Sequence, residues 1–298
     1  MLTLTSDNYY SEEADNEYMS CSQFQEFCGC EAAALAKLQG RYVPPKSEAL
    51  IVGNYFHTAL ESDEAHEKFC NEHYFDVYKT KQMKTGEVIQ TGKYAPYLQA
   101  DEMILAAYSD PLVSKFLLME GENEKIMTGE LFGVPWKIRL DKYIPDKRII
   151  IDWKTSANIR ELRYNYETGE KETFVEYFGY MMRAAVYSEI EKQFTGQAED
   201  PTFLIFAFSK QTPPDKEALL LNHRTRYDWE LEKVRKKLDR IISVKTGLVA
   251  PERCGNCEYC RRTKSLKKII PYYFLNPLYC NEGREIDDIA VMEDTQAC

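Results

Sequence analysis

The chain has 298 residues, 44% of them hydrophobic and 13% aromatic, which excludes a disordered protein and suits one elaborated domain better than two equal ones. Its formal charge of −10 excludes the simplest nucleic-acid binder, a protein that is basic all over. No run of 18 apolar residues occurs and the opening MLTLTSDNYYSEEADNEY is acidic, so no membrane span or secretory leader is expected, and nine cysteines in a cytosolic chain read as thiols or metal ligands rather than disulfides.

In chain order, Cys21 to Leu38 contains the alanine-rich EAAALAKL and predicts a helix, ended by Arg41 to Lys46 with Pro44 and Pro45. A second helix is expected from Ser47 to about Phe69, with Leu50, Ile51, Phe56 and Leu60 near helical spacing. Lys79 to Lys93 is rich in Lys, Gln, Thr and Gly and reads as an exposed loop, after which helices resume from Pro96 to Leu118. Between Lys125 and Trp153 the period changes to two, the mark of strands: Val134, Trp136, Ile138 and Leu140 alternate with Lys137, Arg139 and Asp141, which places Asp141 on the polar face. Pro145 and Asp146 turn the chain into a strand from Arg148 to Trp153. A helix from Phe174 to Gln193, a strand from Thr202 to Ser209 and a helix from Asp215 or Tyr227 to Val244 follow, and the acidic end from Asn281 should fray. The fold class expected is α/β, a central mixed sheet flanked by helices.

Charge is unevenly placed. From Arg224 to Lys268 there are 14 Lys and Arg against 6 Asp and Glu, so one basic segment sits in an acidic chain; it reads either as a DNA-facing surface or as the solvated side of an amphipathic helix.

Asp152 and Lys154, in IIIDWKTS, are two apart on a strand and leave the same face, while Ile151 and Trp153 point the other way. A meander can bring Asp141 beside Asp152, giving two carboxylates suited to Mg²⁺ or Mn²⁺ with an ammonium next to them. That set matches phosphodiester hydrolysis, which needs activated water and positive charge opposite a developing oxyanion; Lys154 would orient or deprotonate the water, or pair with the phosphate. Taken alone, an Asp-x-Lys triplet on a strand is usually a surface ion pair. Glu130, on the preceding strand, is a further carboxylate whose contact with metal the sequence leaves open.

Cys254, Cys257 and Cys260 stand at intervals of three, a spacing that wraps a loop around one soft metal centre. The stretch from Cys21 to Cys30 offers candidates for a fourth thiol.

Asp141 followed by Asp152-Trp153-Lys154 resembles the PD-(D/E)xK nuclease superfamily, in the branch of the RecB nuclease domain and the RecE-like phage exonucleases. That branch carries a Gly-x-x-x-His helix motif, matched by Gly53 to His57. The resemblance implies a restriction-endonuclease-like core, His57 as a metal ligand, and Glu61, one turn on, as its support. It also implies a Gln-x-x-x-Tyr helix, matched by Arg183 to Tyr187 with Arg in place of Gln. Ser20 to Cys30 resembles the N-terminal element of AddB-type and CRISPR-adaptation nucleases, which implies Cys30 as the fourth ligand of a [4Fe-4S] cluster, with Cys28 as fallback. Zn²⁺ in a Cys₄ site and free thiols remain alternatives, and Cys70, Cys280 and Cys298 are expected to be free.

On this reading the chain is one nuclease domain: an acidic lead at 1–20, a core at 21–250, a basic cysteine-rich segment at 251–268 and a tail at 281–298. The resemblance implies a Mg²⁺-dependent exonuclease of phage or prophage origin, resecting linear duplex DNA from the 5′ end in the bacterial cytosol. It implies a homo-oligomeric ring and a RecT-like single-strand annealing protein as partner. Two rivals are an end-trimming, single-strand nuclease of the CRISPR-adaptation type and a non-catalytic DNA-binding module.

Overall fold

The computed structural model describes residues 2–45, 47–166, 168–266 and 272. The tail expected at 281–298, the thiols Cys280 and Cys298, and Lys267 and Lys268 lie outside the described residues.

Three short helices come first, α1 (Glu12–Glu17), α2 (Cys21–Gly29) and α3 (Glu31–Leu38). The stretch expected as one helix is cut at Cys30, whose extended backbone (φ −165°) ends α2 and begins α3. Helices α4 (Glu48–Glu61) and α5 (Asp63–Glu72) divide at Ser62, whose hydroxyl caps α5 by accepting the Ala65 N–H. After the single turn α6 (Tyr74–Val77), the expected loop is a hairpin of β1 (Tyr78–Gln82) and β2 (Val88–Lys93). Its polar composition gives the exposure, but a ladder pairs backbone groups whatever the side chains are.

Helices α7 (Ala95–Ser109) and α8 (Pro111–Leu118) lead into β3 (Glu122–Leu131), β4 (Val134–Ile144) and β5 (Ile149–Ser156). A small hairpin of β6 (Arg163–Asn165) and β7 (Glu170–Glu172) precedes α9 (Phe174–Tyr177), α10 (Tyr180–Thr195) and β8 (Thr202–Ser209). The helix considered from Asp215 starts only at Arg224: Lys216–Leu221 is β9, and α11 (Arg224–Lys245) and α12 (Glu258–Arg262) follow.

Five strands form one mixed sheet in the order β3-β4-β5-β8-β9, with β5 and β8 parallel and the other neighbours antiparallel. Strand β5 is central, and its alternation feeds two cores. Ile150 packs with residues of α2, α10 and α11, whereas Ile151 and Trp153 pack beneath α4 and α7. Both isoleucines are fully buried, each contributing about 1.5–3 kcal/mol of apolar transfer. Asp152 and Lys154 therefore share the face that carries α10, while α4 covers the other. This is the α/β architecture expected.

The site arises where two neighbouring strands part. β4 and β5 pair only through Lys142–Ile151, Tyr143–Ile150 and Ile144–Ile149. Further along, Met19 takes the place beside β4, its N–H bonding the Pro135 carbonyl (2.8 Å) and its carbonyl the Lys137 N–H (2.9 Å). The acidic lead is thus part of the packed fold, with Tyr9, Ala14 and Tyr18 buried. It also corrects the alternation at Lys137, which is 1% exposed, its ammonium held by Asp15 (2.7 Å) and the Tyr9 carbonyl (2.5 Å).

The basic character of α11 is largely answered within the chain. Arg224, Arg226, Lys233, Arg235 and Lys236 are each ion-paired to a carboxylate, and Arg240 bridges Glu31 and Glu252. Among the described residues no helix is long and apolar enough to cross a membrane.

Candidate active site

Where the β4–β5 ladder ends, the Asp141 carboxylate takes the amide that the ladder leaves, accepting the Trp153 N–H at 2.8 Å. This fixes Asp141 beside the Asp152-x-Lys154 triplet. Lys154 Nζ lies 2.7 Å from Asp152 Oδ1 and 3.7 Å from Asp141 Oδ2, and donates to the Trp153 carbonyl at 3.0 Å. From α4, His57 Nδ1 comes to 3.3 Å of Asp141 Oδ2. From α10, Arg183 Nη1 stands 3.7 Å from Asp152 Oδ1. Helices on opposite faces of the sheet thus converge on its split.

Burial, with Lys154 and Arg183 adding, holds the His57 pKa below its ordinary value against the pull of Asp141. The shift favours the neutral imidazole, the form that has a lone pair for a metal. Burial opposes ionisation of Asp141, but Lys154, His57 and the Trp153 N–H outweigh it and hold the carboxyl below the usual range.

Asp152 is 3% exposed, and its Oδ2 has no hydrogen-bond partner among the described residues. A buried carboxylate oxygen without a donor costs free energy unless a cation occupies the position. With His57 and Asp141 near, the donor set of two carboxylates and one imidazole fits a hard divalent ion such as Mg²⁺ or Mn²⁺.

The other expected residues are placed as follows. Glu61, one turn beyond His57 on α4, is raised by burial and feels Arg139 and Asp141, so it flanks the site. The Tyr187 hydroxyl donates to the Arg139 carbonyl (3.4 Å), and the Arg183 guanidinium lies 6.0 Å from its ring. Glu130 is not brought in: it is exposed near the far end of β3, its backbone N–H and carbonyl bonded to the Gln193 side chain.

The carboxylate that β3 does contribute is Glu124. It falls opposite Asp141, between the pairs Asn123–Lys142 and Lys125–Leu140, with φ +53° interrupting the ladder. A non-glycine residue at such an angle carries strain. Its side chain pairs with Arg139 (2.5 Å), and burial, joined by Asp141 and Glu61 against Arg139, pushes it up to about 7.

A second constellation lies across α2. Cys30, at the break between α2 and α3, meets Cys254, Cys257 and Cys260 with all four Sγ atoms within 4.8 Å of one another. Cys30 Sγ is 3.6 Å and Cys254 Sγ 3.9 Å from Cys260 Sγ. The Cys257 and Cys260 amides point at the Cys254 and Cys257 sulfurs (3.3 and 3.4 Å). Cys28, exposed on α2, is not among the four. The join between α3 and the last helix is braced by Ala32 N–H to the Glu252 carbonyl (3.0 Å) and by Tyr42 against Tyr259, with ring centroids 5.1 Å apart.

No curated protein matches the chain. A solved structure from Eubacterium rectale, described as a candidate exonuclease, is 36% identical, covers 93% of this chain and 99% of its own, and superposes with a TM-score of 0.81. Another, SSO0001, is 12% identical over 80% of this chain and 91% of its own; its TM-score of 0.28 carries no argument. The family described as a PDDEXK-like domain of unknown function (DUF3799) matches residues 20–263, a span that holds His57, the split sheet and all four gathered cysteines. The chain belongs to this PDDEXK-like family and so to the PD-(D/E)xK superfamily.

Proposed function

We propose that this protein is a divalent-metal-dependent deoxyribonuclease that degrades DNA from its ends. The observation that carries the reading is the convergence of His57, Asp141, Asp152 and Lys154 at the sheet's split, with Asp152 Oδ2 lacking a donor. The 36% identity to a protein described as a candidate exonuclease supports the choice of ends over internal sites. RecE-like resection of linear duplex in phage recombination, alongside a RecT-like annealing protein, is the setting that the sequence resemblance favours, and a preference for single strands would favour the end-trimming reading instead.

His57, Asp141 and Asp152 would hold the ion, which supplies Lewis acidity toward the phosphoryl oxygens and makes an attacking water more acidic. Lys154, held between two carboxylates, places its ammonium where a scissile phosphate or the attacking water would come. Arg183 braces Asp152 from α10 and adds a second positive charge. Replacing Arg183 with Ala should slow cleavage about 10- to 100-fold, while Arg183→Gln, the residue of the related motif, should lose less. Initial rates on labelled DNA compare the two; an Ala variant at the wild-type rate would remove Arg183 from the site.

The experiment for the function uses end-labelled linear duplex, linear single strands and covalently closed circles with Mg²⁺, Mn²⁺ or EDTA. Linear DNA should be consumed, EDTA should stop the reaction, and circles should survive. Cleavage of closed circles would refute action from ends, and intact linear DNA with both metals would refute the nuclease.

We propose further that the four cysteines hold one zinc ion. Tetrahedral thiolates at a Zn–S distance of about 2.3 Å stand roughly 3.8 Å apart; two of the sulfur pairs are at 3.6 and 3.9 Å, and all four sulfurs lie within 4.8 Å of one another. A [4Fe-4S] cluster, which the resemblance implied, places iron and sulfide between the thiolates and needs them further apart.

A further inference from the structure

A line of aromatic rings runs from the catalytic lysine outward. Tyr180, the first residue of α10, lies with its ring centroid 5.5 Å from Lys154 Nζ, and the Phe178 ring is 6.0 Å from that of Tyr180. Tyr177 and Phe178 are 5.3 Å apart, and the Arg163 guanidinium lies 5.6 and 5.0 Å from their centroids. Arg163 opens the β6–β7 hairpin, which also carries Tyr164 and Tyr166, two apart and 4.9 Å ring to ring.

These rings are not core. Tyr166 is 91% exposed, and Tyr164, Tyr177 and Phe178 are between 40% and 48% exposed. Four exposed aromatics and an arginine, on this hairpin and on the helix α9 packed against it, are more than a folded chain needs for its own stability. The patch offers π-faces and a cation side by side, the combination that holds unpaired bases without reading their sequence. Paired bases inside a duplex present no free face to such a surface. The line from Phe178 through Tyr180 to Lys154 sets the direction: a strand lying on these rings leads toward Lys154.

We infer that the β6–β7 hairpin and α9 form a stacking strip for an unpaired DNA strand entering the active site, so that single-stranded DNA, or a single-stranded tail on a duplex, is the preferred substrate. The inference rests on the nuclease reading for its direction but is tested without catalysis.

A single-stranded oligonucleotide carrying 2-aminopurine is titrated in EDTA against the full-length protein and its Tyr164→Ala/Tyr166→Ala variant. The wild type should quench the fluorescence on binding, and the variant should bind about tenfold or more weakly. With Mg²⁺, the variant's KM for single strands should rise by the same factor with kcat within about twofold, and cleavage of blunt duplex should be unchanged. Absence of quenching by the wild type, or equal losses on single strands and blunt duplex, overturns the strip. A variant that keeps full quenching but changes its mass in solution also overturns it and makes the patch a contact between copies. Quenching lost in the variant, from a wild type that cleaves nothing, leaves the strip standing and the nuclease reading refuted.

Discussion

Asp152→Asn abolishes metal-dependent DNA cleavage, with turnover falling by about a thousandfold or more, while the protein remains folded. Asparagine keeps the shape of the side chain and its place on β5, so the packing of Ile151 and Trp153 on the far face is untouched. The negative charge is what goes. In its place the orphaned Oδ2 position becomes a neutral amide that holds a divalent ion poorly, and Lys154 loses its 2.7 Å partner. Lys154 still has Asp141 at 3.7 Å and the Trp153 carbonyl at 3.0 Å, and Arg183, which loses its ion pair, is a quarter exposed and keeps the rings of Tyr180 and Tyr187. Thermal unfolding should therefore shift by only a few degrees. The measurement is the single-turnover rate on end-labelled linear DNA beside a melting curve; a variant within tenfold of wild type would show that Asp152 is not the essential carboxylate.

The gathering of Asp141, Asp152 and Lys154 at the candidate site was legible because it obeys local rules. Asp152 and Lys154 are two apart on a strand, and the alternation of β4 placed Asp141 on the face that reaches them. His57 needed the helix motif, since a lone helical histidine carries no signal of its own. Glu124 was hidden for a physical reason: its positive φ departs from strand geometry, so a period-two reading of β3 does not hold at the residue that falls opposite Asp141. The buried Lys137 was equally hidden, because the Asp15 that pays for its burial is 122 residues away in the chain and no window of sequence spans both. The Cys30 break lies next to a run of strong helix formers, and tertiary contact with the late cysteines, not propensity, divides α2 from α3. Of the two starts weighed for α11, Tyr227 lies close to the observed Arg224 and Asp215 does not, for a similar reason: the ALLL of β9 reads as helix or strand until β8 is there to pair with it.

Cys30→Ser lowers the melting temperature by on the order of 10 °C or more and empties the cysteine site. The expectation follows from what the site joins. Cys30 comes from the front of the chain and the other three from beyond α11, so one ion closes a loop of more than 200 residues, and structural zinc sites contribute folding free energy directly. A serine oxygen is a poor replacement for thiolate, and of the remaining three cysteines Cys254 is exposed, Cys257 half-buried and Cys260 buried. Cys28→Ser, on the same helix but outside the group, should leave both melting and metal content unchanged. Metal analysis of protein purified without added metal should find about one zinc per chain in wild type and well under half in Cys30→Ser. Iron with visible absorption in the wild type would refute zinc in favour of a cluster, and metal-free wild-type protein that melts like Cys30→Ser would make the thiols merely adjacent. The same variant reports on the catalytic cleft, because α2 runs from the Met19 bridge beside β4 to Cys30. If the cysteine site anchors that helix, its loss should also raise proteolytic sensitivity around residues 9–20, which cover the buried Lys137, before the sheet itself unfolds.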